Sequence, residues 1–163
     1  MDIYCSDSIY LRTFKITDLN DLHRIMSDSD VAKNAGFKVK DTLRDTLLIL
    51  DKFMWELENR LWAVVYKPTD TVIGWIEIHD CNLFPDPQTF ELGFVLSKGY
   101  WGRGIMKVVI DSVLSYAFNN LYANRIFCAH FSDNLRSKRV IEKCNFTYYN
   151  TIDNLIYYQI KRN

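Results

Sequence analysis

Glycines 99, 102 and 104 stand within six positions of one another, with Arg103 between the last two, in a chain of 163 residues that has six glycines in all. An apolar-rich stretch at 89–96 precedes them, and Ile105, Val109, Val113 and Tyr116 follow at the spacing of one helical face, as far as Phe118. A strand, a glycine-rich loop and a helix of about four turns are expected in that order. The first N–H groups of a helix have no partner within it, and the aligned peptide dipoles put partial positive charge there. Such a junction suits an anion such as phosphate, and Arg103 would add a full charge. Two familiar phosphate motifs fail at single positions. Lys107 stands where a dinucleotide fingerprint has its third glycine, and Ile105 follows Gly104 where a P-loop has Lys and then Ser or Thr. The same glycines would also serve a sharp turn with close packing, and the residues alone leave the two readings open.

A second group runs from Asn134 to Phe146. Asn134 closes the capping cluster Ser132, Asp133, Asn134 and is a favourable N-cap, with Ser137 in the first turn of a short helix. Val140, Ile141 and Cys144 share one side of that helix, which ends near Asn145. Of the basic residues on it, Lys138 reads as solvent-facing, while Arg139 is either solvated or a phosphate contact. His79 closes a strand, where a lone histidine is either catalytic or filler; His23 and His130 read as filler. Cysteines 5, 81, 128 and 144 show no Cys-x-x-Cys pair and no zinc-ligand spacing, so they read as reduced thiols and no metal is expected.

The elements that position these residues follow from periodicity. Residues 9–14 alternate as a strand, after which Thr17 is the expected N-cap of a helix carrying Leu19, Leu22, Ile25 and Met26. Ser27 to Asp30 breaks the pattern. A second helix starts near Asp41 or Thr42, turns Leu43, Leu47, Leu50, Met54 and Leu57 inward, and ends at Asn59 and Arg60. Residues 61–67 and 71–79 form a hairpin through Pro68, Thr69 and Asp70. After a loop holding Pro85 and Pro87 come the strand at 89–96, the loop and helix already described, and a strand at 125–131. Two closing strands at 146–149 and 155–160 flank a polar turn at 150–154, with Tyr157 and Tyr158 facing either the core or a partner. About seven strands in a mixed sheet with helices on its faces define an α/β or α+β arrangement.

Composition bounds the function. With 48% apolar and 15% aromatic residues and only 3 Pro, the chain is too rich in core formers for disorder, and its length is that of a single domain spanning 1–163. Twenty basic residues balance twenty acidic ones, which argues against the broad phosphate-neutralising surface of a nucleic-acid binder. Asp2 and Asp7 interrupt any leader-like start, and no apolar run approaches the roughly 20 residues of a membrane span. A cytoplasmic protein without nucleic-acid or membrane partners is expected.

The two groups together resemble the GNAT N-acetyltransferase superfamily, in particular its RimJ/RimL-like branch. Glu91-Leu92-Gly93-Phe94-Val95-Leu96, then Gly99-Tyr100-Trp101-Gly102-Arg103-Gly104-Ile105-Met106, look like that branch's core strand and pyrophosphate loop. Asn134 with Ser137, then Glu142-Lys143 before Phe146, is similar to its following helix. The resemblance covers most of the chain and is densest from Glu91 to Phe146. It implies a GNAT-type, mostly antiparallel central sheet of about seven strands flanked by about four helices. It also implies acetyl-CoA as acetyl donor and a primary amine as acceptor: a peptide N-terminus, a ribosomal protein or a small amine. A homodimer is left open.

By this resemblance the loop amides of Gly102, Arg103, Gly104, Ile105 and Met106 hold the pyrophosphate, and the backbone of Phe94, Val95 and Leu96 pairs with pantetheine like an added strand. Asn134 would bond the pantetheine arm, and Arg139 is a candidate for the 3′-phosphate. An amine protonated at neutral pH must lose a proton before it attacks a thioester, which makes Glu91 the expected base. A main-chain N–H near Val95 or Leu96 would serve the oxyanion. Several positions depart from the family pattern. Met106 replaces Gly or Ala and must turn toward the core to leave the phosphates room. Trp101 replaces the wider superfamily's Gln or Arg. Ile141 takes the place of a Tyr acid, leaving Ser137 as the nearest substitute. Asn145 replaces a Gly, which it can do in a left-handed C-cap conformation. The last hairpin looks shorter than is usual in the branch. Met106 and Ile141 motivate a rival reading, a non-catalytic acyl-CoA-binding regulatory module.

Overall fold

The computed structural model describes residues 1–55 and 60–162. Its strands are β1 (Ile3–Tyr4), β2 (Ile9–Arg12), β3 (Leu61–Tyr66), β4 (Thr71–Asp80), β5 (Thr89–Leu96), β6 (Arg125–Phe131), β7 (Thr147–Ile152) and β8 (Leu155–Lys161). Its α-helices are α1 (Leu19–Met26), α2 (Ser29–Ala35), α3 (Leu43–Trp55), α4 (Ile105–Asn120) and α5 (Leu135–Lys143). The strand order is β1-β2-β3-β4-β5-β6-β8-β7. The β5–β6 pair is parallel, while β1–β2, β2–β3, β3–β4, β6–β8 and β7–β8 are antiparallel. A parallel neighbour requires a crossover, and α4 supplies it. The mixed, mostly antiparallel sheet agrees with expectation, with eight strands and five helices rather than about seven and four.

Contacts divide the chain into two compact units. One comprises Met1–Glu77 with Phe94–Ile105, and the other Ile78–Gly93 with Met106–Asn163. In the first, Leu22, Ile25 and Met26 of α1, Val31 of α2 and Leu50 of α3 pack with Leu61, Ala63, Val65, Val72, Trp75 and Val95 of the strands. Phe53 bridges Phe14 and Trp75, with ring centroids 5.3 and 5.4 Å away. In the second, Val109, Ile110 and Val113 of α4, Ile141 of α5 and Cys144 just after it are buried, as are Leu92, Ile126 and Cys128 of the strands.

Local chemistry explains where these elements differ from the sequence reading. Thr17 is not an N-cap: residues Ile16–Asp18 form a 3-10 turn and Asp18 stands at the N-cap of α1. The Asp18 carboxylate is otherwise engaged, accepting from both terminal nitrogens of Arg12 at 2.8 and 2.9 Å and from the Lys15 N–H at 2.8 Å. The break at Ser27 to Asp30 is the start of a helix, because the Asp28 side chain accepts from the N–H groups of Asp30 and Val31 and caps α2. In α3, Leu43 and Leu47 are exposed, whereas Leu50 is buried and Met54 half-buried. Thr46 turns inward instead, buried with its hydroxyl 2.7 Å from Nδ1 of the half-buried His23, and the inward stripe is rotated by about one residue. Leu57 and Asn59 lie outside the described residues. The hairpin turn has Asp70 at φ 49°, and Asn145 sits at φ 64°, the expected left-handed cap. The last hairpin pairs Asn150, Thr151 and Ile152 with Tyr157, Ile156 and Leu155, so its turn shrinks from the expected 150–154 to Asp153 and Asn154.

Arg12 and Asp18 are both buried, so removing one charge strands the other in a medium that solvates it poorly. Asp18→Asn is expected to cost about 3–5 kcal/mol in urea unfolding. Arg24→Ala, which loses only the exposed pair with Asp21, is expected to cost under about 1 kcal/mol. Equal losses would show that Arg12 is solvated after all.

Candidate active site

β5 pairs with β6 from Thr89↔Arg125 to Leu92↔Cys128, and then runs on through Gly93 to Leu96. The groups that this ladder leaves over are partly placed by the first unit. The Val95 carbonyl oxygen lies 2.2 Å from where a Cβ on Gly74 would be, so it is turned toward β4 and only glycine fits beneath it. Successive carbonyls of an extended strand point to opposite edges, which turns Phe94 and Leu96 the other way. The Leu96 carbonyl accepts from the Trp101 indole N–H at 2.7 Å. The sequence treated Trp101 only as a family departure; the structure makes it the tie between strand end and loop.

The glycine loop resolves the alternative that composition left open. A Cβ at Gly99, Gly102 or Gly104 would meet nothing within 4 Å, so none of them is there for close packing. Gly102 and Gly104 have φ of 73° and 74°, the left-handed region that L side chains avoid. Their role is to turn the backbone while leaving the start of α4 clear. Arg103 is exposed, its guanidinium 5.1 Å from the centre of the Tyr100 ring. Ile105 is half-buried, and the Met106 side chain is buried rather than spread over the loop. These are the features a phosphate requires: unpartnered helix N–H groups, a cation nearby and open space where side chains would stand. The acyl-CoA pyrophosphate implied by the family resemblance fits that cradle.

Strand alternation puts Glu91 and Gly93 on one face of β5. Glu91 is half-buried, and burial pushes its carboxyl above the ordinary carboxylate range, with His79 pulling partly the other way. Burial also raises the Cys128 thiol and the Tyr157 phenol, and the Glu91 charge adds to both. Tyr157 carried no role in the sequence reading, because its relation to Glu91 exists only through strand register.

At α5, Asn134 is buried and is the N-cap. Its Oδ1 accepts from the Ser137 N–H at 3.1 Å and its Nδ2 donates to Ser137 Oγ at 2.9 Å. The two residues expected to act near each other are thus joined, and the Ser137 hydroxyl keeps its proton for another acceptor. Ile141 is fully buried. Among the described residues no His, Cys, Asp and Glu cluster suits a metal ion, and no helix is long and apolar enough to cross a membrane.

Comparison with known proteins agrees with this arrangement. Residues 8–147 match the model of the acetyltransferase (GNAT) domain. YjcK of Bacillus subtilis strain 168, named as a probable N-acetyltransferase, is 41% identical over 146 residues, covering 85% of this chain and 80% of that protein. The crystal structure of a GNAT-family acetyltransferase from Bacillus anthracis superposes with a TM-score of 0.84 at 26% identity, covering 99% of this chain and 98% of that one. The spermidine N-acetyltransferase of Vibrio cholerae, solved in complex with CoA and spermine, has the same fold with a TM-score of 0.78, at 16% identity and 96% coverage of each chain. Fold and relatives together define an N-acetyltransferase. The chain belongs to the GNAT acetyltransferase family.

The raised carboxyl of Glu91 has a consequence for stability. A group whose pKa is higher folded than unfolded binds its proton more tightly in the fold, so its contribution is fullest at low pH and is lost as pH rises through the folded value. Glu91→Gln is therefore expected to match the wild type in melting temperature near pH 4 and to exceed it increasingly toward pH 7. Melting curves across that range check this, and a difference independent of pH would show that Glu91 is not desolvated.

Proposed function

We propose that the protein transfers an acetyl group from acetyl-CoA to a primary amine by direct attack, as a RimJ/RimL-like member of its family. The observation that carries this is the loop, where Gly102 and Gly104 adopt left-handed backbone beneath open space at the N-terminus of α4. Acetyl-CoA, when bound, supplies an activated thioester. The amides of Gly102, Arg103, Gly104, Ile105 and Met106 hold its pyrophosphate, and Arg103 adds charge. Phe94 and Leu96 present backbone groups to the pantetheine arm, with Asn134 as a further contact. The burial of Met106 removes one motive for a purely regulatory acyl-CoA-binding module.

Glu91 takes a proton from the ammonium group of the acceptor. Its raised carboxyl narrows the gap to the amine it must deprotonate, which favours the transfer. The Leu96 N–H, on the strand edge facing away from β4, donates to the thioester oxygen as that atom gains negative charge. Ser137 relays to the departing thiolate the proton that the acceptor nitrogen loses as the amide forms, so its hydroxyl is restored. No acyl-enzyme is needed, and the raised thiols of Cys128 and Cys144, the latter pushed up to about 11, are poor nucleophiles. Acceptors that fit the chemistry are a peptide N-terminus, including that of a ribosomal protein, and small amines. The Vibrio cholerae relative of the same fold, solved with CoA and spermine, supports a CoA donor and an amine acceptor.

Melting temperature tests the donor first. Acetyl-CoA or CoA at about 100 times its Kd stabilises the fold by about 2.7 kcal/mol, a shift of several degrees, and ATP does not. Gly102→Ala and Gly104→Ala, which strain the backbone by about 1–2 kcal/mol without a clash, are expected to shrink that shift. Thiol release over a panel of peptides and amines then tests transfer, with Glu91→Gln lowering turnover at unchanged CoA affinity. No shift with either CoA form would refute the reading.

A further inference from the structure

Strand register in the second unit gathers one set of side chains on one face of the sheet. Glu91 stands beside Phe127, Phe127 beside Gln159, and Ala129, two residues on along β6, beside Tyr157. Neighbours across a ladder share a face, as do residues two apart on a strand, so Glu91 and Tyr157 share theirs. They approach from the two strands that flank β6, about 10 Å apart across the sheet and offset by two residues along it, so about 12 Å apart at the backbone. On β6 between them stand Phe127, level with Glu91, and the small Ala129, level with Tyr157. The Glu91 charge is felt at the Tyr157 phenol, yet no hydrogen bond joins the two groups. A third group is needed to connect them.

The surroundings restrict what that group carries. Phe84 stacks on Phe127 with rings 4° from parallel and 5.3 Å apart, and Tyr149 meets both edge-on at 5.8 and 5.0 Å. The Arg125 guanidinium lies 5.0 Å from the centre of the Phe84 ring and 5.6 Å from that of Phe127. It occupies the cation-binding character of those rings and repels a second positive charge. Gln159 adds a buried side-chain oxygen without a partner on the same face.

We propose that Glu91 and Tyr157 together seat the acceptor's primary ammonium group, and that the acceptor is a monoamine on an apolar body rather than a polycation. The inference rests on the acetyltransferase reading and names the acceptor side of its site. One ammonium N–H bonds to the Glu91 carboxylate, which takes that proton; a second bonds to the Tyr157 oxygen, which holds the freed lone pair in one direction. The apolar body runs along Phe84 and Tyr149. The other titratable groups around the pair are His79 from β4, Cys81 from the loop that follows it and Cys128 from β6.

The test uses the full chain with tyrosines carbon-13 labelled at Cζ, Tyr157 being assigned by its loss in Tyr157→Phe. Benzylammonium chloride is expected to shift the Tyr157 signal, and Glu91→Gln to abolish that shift. Spermidine is expected to need at least a tenfold higher concentration. With acetyl-CoA present, Tyr157→Phe is expected to lower kcat/KM for benzylamine at least tenfold while the melting shift with CoA stays unchanged. Tyr148→Phe, an exposed ring on the opposite face, serves as the control that leaves both intact. An amine-dependent shift without acetyl transfer supports the seat and refutes the acetyltransferase reading. No shift with benzylammonium, an equal shift in Glu91→Gln, or full kcat/KM in Tyr157→Phe overturns the seat. A spermidine response as strong as that of benzylammonium overturns the choice of an apolar monoamine.

Discussion

The arrangement of the candidate site depends on one backbone constraint. A strand that runs beyond its ladder exposes N–H and C=O groups that must find partners or water. β5 leaves its ladder with β6 at Leu92 and continues to Leu96. Gly74 permits the Val95 carbonyl to press onto β4, where any side chain would meet it at 2.2 Å. That turn aims Phe94 and Leu96 at the other edge, and the Trp101 indole fixes the Leu96 carbonyl there. The loop that Trp101 enters then needs two left-handed residues, Gly102 and Gly104, before α4 can start. A strand edge with spare backbone groups and a helix N-terminus with spare amides are therefore consequences of the same short stretch.

That dependence explains why this part of the molecule was legible in the sequence. Glycine is needed where φ is positive, so the loop and its helix were visible from residue type alone, as was Asn145 in its left-handed cap. The β3–β4 hairpin was equally visible through Pro68 and Asp70. What sequence could not separate was a glycine that permits close packing from one that leaves open space, because both read as Gly. Only the space around Gly102 and Gly104 distinguishes them.

The misreadings share another cause. Helix α2 was taken for a break because Ser27, Asp28 and Asp30 are turn formers, yet the same side chains cap helices. Hydrophobicity assigns the inward stripe of α3 to Leu43 and Leu47, while Thr46 turns inward with its hydroxyl bonded to the half-buried His23. Thr17 reads as the N-cap of α1, while Asp18 stands there with its carboxylate turned to Arg12. In each case a polar side chain decides the local structure: Asp28 caps the helix that follows it, and Thr46 and Asp18 bond outside their own helical pattern. The Glu91–Tyr157 relation is the extreme instance, since 66 positions separate the residues and only register across three strands brings them to one face.

The proposed chemistry also accounts for the unequal care with which the two proton-transfer roles are built. An alkylammonium like that of lysine has an unperturbed pKa near 10.4, so an acceptor of this kind must be forced to give up its proton at neutral pH; a thiol has one near 8.5, so a thiolate leaves with little assistance. In the proposed reaction the demanding step falls to Glu91, whose carboxyl is raised by burial and whose ladder neighbour Phe127 is packed by aromatic rings. The lighter step leaves α5 free to place Ile141 wholly in the core. A serine hydroxyl is a weak acid, but Ser137 accepts a bond from Asn134, and a hydroxyl that accepts gives its own proton more readily. A phenol at position 141 would strengthen a step that limits little, at the cost of the apolar side chain that Ile141 buries completely.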